Sequence, residues 1–162
     1  AIISAVCAST VSSVATIDVN SERIGNVGAK AISKSIGASV NKALKSINLV
    51  GHDFDAAHAS SLTEVARKKE IFLCGITPDQ ADADFSNQGL QRADALLLAS
   101  DLRASKALKE IDLRGNEFGS AEWCAIFNAL RDNKANTIEA WNLPDQGLDA
   151  EVAKAISGYL AR

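Results

Sequence analysis

Five times along the chain, an apolar residue is followed by a second two positions later and a third seven positions from the first. The triplets are Ile17/Val19/Ile24, Ile47/Leu49/Phe54, Ala83/Phe85/Leu90, Ile111/Leu113/Phe118 and Trp141/Leu143/Leu148. A period of two is what a strand with one buried face requires, since successive side chains leave opposite sides of the backbone. The third apolar residue marks the turn into the next element. Beyond it the period changes. Counting eight residues on gives Ile32, Leu62, Leu98, Ile126 and Ile156, and counting twelve gives Ile36, Ala66, Leu102, Leu130 and Leu160. Positions four apart lie on one side of a helix, so each helix lays an apolar stripe on the strands. Counting five gives Ala29, Ala59, Ala95, Trp123 and Ala153. Small residues there let helix and sheet approach closely, and Trp123 needs extra room.

The first members are separated by 30, 36, 28 and 30 residues. One strand and one helix cannot bury their own apolar faces, so such units must stack on one another. The expected fold is α/β: a curved solenoid of about five strand-helix repeats, with the parallel sheet on the concave side and the helices outside. Ala1 to Ala8 reads as the last helix of a preceding repeat, and Val152 to Leu160 as a helix of the ordinary kind. Residues 1–162 are thus expected to be a single array. With no capping segment at either end and no methionine in the chain, it is expected to be part of a longer chain or of a larger assembly.

Leu108 to Leu130, LKEIDLRGNEFGSAEWCAIFNAL, resembles the ribonuclease-inhibitor-like leucine-rich repeat, and the resemblance covers essentially the whole chain. Asn116 stands at that family's asparagine, whereas Glu22, His52, Gln88 and Gln146 occupy the matching positions. The resemblance implies a curved protein-binding scaffold and no particular ligand.

The long third interval comes from an irregular insertion at residues 71–82. Ile71-Phe72-Leu73 is too short for a helix and reads as a buried extended piece, with Thr77-Pro78-Asp79 turning the chain. Two readings stay open, a projecting loop that meets a partner and a tolerated insertion with a filled core beneath it.

Catalytic and cofactor signatures are absent. The glycines around Gly25 and Gly115 lack the spacing that brings backbone amides onto phosphate, and no serine stands in a nucleophile elbow. No catalytic, cofactor-binding or metal-binding residue is expected. In GHDFDAAH, His52 falls on a loop and His58 on a helix start, so with Asp53 and Asp55 they read as solvated residues rather than metal ligands. Cys7, Cys74 and Cys124 are odd in number and far apart, which suits reduced, buried thiols in an intracellular, cytoplasmic protein. A net charge of −3 argues against nucleic acid as a partner. The apolar runs fall far short of the roughly 20 residues that span a bilayer.

What remains is the inner face. Between the buried strand residues lie Asp18, Asn48, Asp84, Asp112 and Asn142, and one step outside are Thr16, Ser46, Asp82, Glu110 and Ala140. Alternation turns these away from the helices. Five of them are acids, against one neighbouring base, Arg114. The expected function is a non-catalytic protein-interaction module that holds a partner with a basic patch. The expected contact residues are Asp18, Asn20, Asn48, Asp82, Asp84, Glu110, Asp112, Arg114 and Asn142. Asp or Asn is also ordinary repeat consensus here, so the pattern leaves open whether the face is selected for binding. A structural subunit packed permanently in a multiprotein complex is the alternative.

Overall fold

A computed structural model describes residues 2–19, 23–143 and 148–161. Among these residues the chain is a mixed α/β protein with six helices and short parallel strands. The order is α1 (Ile2–Ala8), β1 (Thr16–Asp18), α2 (Gly25–Gly37), β2 (Ser46–Asn48), α3 (Ala56–Lys69), β3 (Asp82–Asp84), α4 (Arg92–Ala104), β4 (Glu110–Asp112), α5 (Ser120–Asp132), β5 (Ala140–Asn142) and α6 (Ala150–Leu160). Each helix packs on the next in chain order. β1 pairs with β2, and β3, β4 and β5 form a second sheet, all parallel. Ile17 lies opposite Ile47, and Ala83, Ile111 and Trp141 share a rung, so the first triplet members align unit on unit. In the middle units the apolar stripes are buried as spaced: Leu62 and Ala66, Leu98 and Leu102, Ile126 and Leu130.

The two sheets meet at the insertion. Ile71, Phe72, Leu73, Cys74 and Ile76 are all buried. Ile47 donates its backbone N–H to the Phe72 carbonyl (2.8 Å), Leu49 to Leu73 (2.9 Å), and Phe72 donates back to Lys45 (2.8 Å). This extended piece is therefore the outer partner of β2, in the place β3 would otherwise take. Its own amides need acceptors on the far side, and α4 supplies one. The Asp101 carboxylate accepts from the Leu73 N–H (2.8 Å) and the Cys74 N–H (2.8 Å). At the other end of α4, Asp94 accepts from the Gly51 N–H (2.8 Å) of the preceding unit and from Gln91 (2.9 Å) of its own. Burial pushes the Asp101 carboxyl up to about 7, against the pull of the two amides, and raises Asp94 for the same reason.

Loop carbonyls are tied between units by side chains at the asparagine position. Asn116 Nδ2 donates to the Phe85 carbonyl (2.8 Å) and its Oδ1 accepts from Leu90 N–H (3.1 Å). His52 does the same work chemically, its Nε2 lying 2.7 Å from the Val19 carbonyl. Gln88 Nε2 instead turns back to the carbonyl of Asp84 (3.1 Å). Glu22 and Gln146 lie outside the described residues.

The last helix departs from the expected register. Leu160 is 72% exposed and Ala153 is exposed, whereas Val152 and Tyr159 are buried. The physical reason is aromatic: Tyr159 packs on Phe127 and edge-on to Trp141, with both centroids at 6.2 Å. Its hydroxyl accepts from Asn136 Nδ2 at 3.0 Å. A ring with a satisfied polar tip displaces a leucine from that place.

Leu113→Asp places a charge at a fully buried strand position and should destabilise the protein by at least about 3 kcal/mol; a thermal melt matching the parent would refute this strand register. Because the folded Asp101 carboxyl is raised from 3.8 to about 7, its contribution is fully present at acid pH and is lost as pH rises toward about 7. The Asp101→Asn variant has no such titration. The stability difference between parent and variant should therefore shift against the parent between about pH 4 and 7 and stay constant above. Melts across that range check it.

Candidate functional site

The strands set the inner-face residues in two ladders. Asp18 lies opposite Asn48, and Asp84, Asp112 and Asn142 share a rung. The outer ladder pairs Thr16 with Ser46, and Asp82 with Glu110 and Ala140. Asp18, Asp82, Asp84 and Glu110 are exposed, Asn48 and Asn142 half-buried. Asn20 lies outside the described residues. The expected row is thus split into two patches by the insertion, Asp18 with Asn48 on one side and the residues of β3 to β5 on the other.

Two positions differ from a simple solvated face. Ser46 is 0% exposed, because the bridge to Phe72 brings the insertion over it. Its Oγ has no hydrogen-bond partner. Asp112 is also buried, under its own neighbour. Arg114 Nε donates to Asp112 Oδ1 (3.0 Å) and Oδ2 (3.1 Å), and its backbone N–H to Oδ1 (3.0 Å). This guanidinium holds the Asp112 carboxyl below the usual carboxylate range, against the opposing effect of burial. Asp112 and Arg114 offset one another, and the exposed negative charge comes from the other acids. Asp84 accepts from Ser86 N–H (2.8 Å), the main reason its pKa is lowered. Glu110 accepts from Asn142 Nδ2 (3.1 Å).

The remaining candidates lie elsewhere. His52 points inward to Val19, while His58 Nδ1 and backbone N–H both meet Asp55 at 2.8 Å, and Asp53 pairs with Arg23. Among the described residues, no group of three or more His, Cys, Asp or Glu is placed to hold a metal ion. No helix among them is long and apolar enough to cross a membrane. The three cysteines are free, Cys7 and Cys74 buried and Cys124 half-buried. Burial and the Asp101 charge push the Cys74 thiol well up.

Hollows occur at three notable places. One of about 500 Å³ at the ends of α3 and α4 is framed by Lys45, Arg67, Arg103 and Lys106; the negative ends of the helix dipoles account for cations there. An apolar groove of about 810 Å³ runs between α1, β1 and α2. The third, about 380 Å³, opens on the inner face where the sheet divides. Residue spacing could place the insertion but not this opening, which exists because a non-repeat segment pairs with β2. The one signal for it is the interval of 36.

No protein-family profile matches the chain, and no characterised protein matches it by sequence. Among solved structures it is similar to a tropomodulin C-terminal domain from Caenorhabditis elegans, with a TM-score of 0.53 and 13% identity over 99% of this chain and 90% of that one. A second likeness is to actin-binding site 2 of leiomodin-1, with a TM-score of 0.37 and 15% identity over 98% of this chain and 70% of that one. The fold is leucine-rich-repeat-like.

Arg114→Ala should move the Asp112 carboxyl titration upward, since the guanidinium is the largest influence holding it low. A carboxyl-detected NMR titration showing no movement would separate the two side chains in solution.

Proposed function

We propose that this chain is a non-catalytic protein-binding module, a solenoid of ribonuclease-inhibitor-like repeats that holds a basic partner on its concave sheet and adjoining loops. In this reading residues 1–162 form one array with an irregular insertion at 71–82. The observation that supports it most is the alignment of Asp82, Asp84 and Glu110, exposed on adjacent strands, while the neighbouring base, Arg114, is tied to Asp112. Like charges held side by side gain from an oppositely charged surface and disfavour nucleic acid. Asn48 and Asn142 add polar contacts without charge.

A second reading, a subunit packed permanently in a complex, is favoured by the apolar groove between α1, β1 and α2, in which Ile2 is exposed. Apolar surface of that kind is expected to be covered. Sedimentation of the isolated chain separates the readings: a monodisperse monomer supports the first, and concentration-dependent association the second.

Charge reversal tests the inner face. Asp112 is unsuitable because its partner Arg114 would be left beside a lysine. Asp82→Lys with Glu110→Lys alters only exposed side chains and should change stability by no more than about 1 kcal/mol. Against an array of basic, neutral and acidic peptides, the parent should capture basic sequences and the double variant should lose them. Equal capture by both proteins would reduce the acids to repeat consensus.

A further inference from the structure

The hollow where the sheet divides has a composition unlike the other two. Its lining includes Asp18 from β1 and Asp84 from β3, with Asn48 and Gln88, and no described residue lining it is basic. The lining also includes the apolar residues Ile17, Ile76 and Phe85, of which Ile76 and Phe85 are buried. About 380 Å³ is at the low end of the range that encloses a small ligand or one large side chain, roughly 300–1,000 Å³. The wall is built rather than incidental. Gly75 sits at φ +76°, and a Cβ there would come 3.2 Å from the Asn48 side chain, so a left-handed glycine lets the insertion close on β2.

An independent feature points to a ligand. Ser46 is fully buried beneath the insertion and is among the residues around this hollow; alternation puts its side chain on the inner side of β2, and its Oγ has no hydrogen-bond partner. Buried hydroxyls are nearly always satisfied, because leaving one unmet costs about as much as a lost hydrogen bond. A donor that shifts its cover on entering from the hollow would satisfy it.

The geometry points to this opening as a pocket for one arginine side chain of the basic partner, a reading that rests on the protein-binding function above. A guanidinium is a planar fork of five donors, suited to carboxylates and amide oxygens on more than one wall, and it is weakly hydrated enough to leave water. Its aliphatic stem suits the apolar lining. A lysine ammonium is a compact, strongly hydrated point charge that would meet one wall at a time.

Methylguanidinium and methylammonium, titrated separately into the full chain and followed by amide NMR, test this. Methylguanidinium should give saturable shifts confined to residues around Asn48, Gly75 and Asp84, and should bind more tightly than methylammonium. Asp84→Asn keeps an oxygen for the Ser86 N–H and should weaken methylguanidinium binding about tenfold. Ser46→Ala removes an unmet polar atom, so it should weaken binding without lowering the melting temperature; a fall in melting temperature with unchanged binding would make Ser46 structural and overturn its role. No saturable shift in the hollow, or equal affinity for the two cations, overturns the arginine pocket. Captured basic peptides with no methylguanidinium response would sink the pocket and leave the binding function standing. Methylguanidinium in the pocket with no peptide captured would do the reverse.

Discussion

Asp101 is 2% exposed and carries the geometry of the middle of the molecule. A stack of strand-helix units tolerates an insertion only if the unit on each side still finds a face to pack on and the intruding backbone finds partners. Here Phe72 and Leu73 turn toward β2 and satisfy it, which leaves the outward amides of Leu73 and Cys74 in a dry interior. A carboxylate one helix away takes both. Burial makes that carboxylate reluctant to ionise, and the two amides restrain the effect, so Asp101 sits near neutrality instead of far above it. Asp94 repeats the arrangement at the other end of α4 with Gly51. The helix that follows the break is thereby fastened to the unit before it by two acids and not by apolar contact alone.

Little of this was visible in the periodicity. The two apolar periods placed β1 to β5 and α2 to α6, because they report which residues must avoid water. They were right where neighbours stack on both sides and failed where a different interaction competes. Tyr159 replaces Leu160 because a ring can join Phe127 and Trp141 while keeping its hydroxyl bonded, and a count of apolar residues does not weigh that. Asp94 and Asp101 read in sequence as polar positions on a helix and would be assigned to solvent. Only the three-dimensional place of α4 against the preceding unit shows that their carboxylates face backbone amides.

The inner face was legible in outline and altered in detail. Alternation correctly turned Asp18, Asp84 and Glu110 away from the helices, since side-chain direction along a strand follows from the pleat. It could not show that Arg114 folds back on Asp112, because that contact depends on a long side chain choosing one rotamer over solvent. It also could not show that Ser46 is covered, which depends on Phe72 pairing with β2. His52 is a further case. By identity it departs from asparagine, yet its Nε2 meets the same class of strand-end carbonyl that Asn116 does. The interaction is kept although the residue is not.

The break in the sheet therefore has two consequences that cannot be separated. Each helix packs on the next in chain order, so the relative placement of β2 and β3 is set locally. The contacts that set it are the extended piece from Ile71 to Cys74 and the acids of α4. The same extended piece covers Ser46 and, with Gly75 against Asn48, walls the hollow that opens between Asp18 and Asp84. An arginine held there as proposed would touch residues of both halves, so its affinity would depend on the spacing that Asp94 and Asp101 maintain from the opposite side of the sheet. Regular repeats could not offer such a place, because a continuous sheet leaves no gap between adjacent strands about 4.8 Å apart.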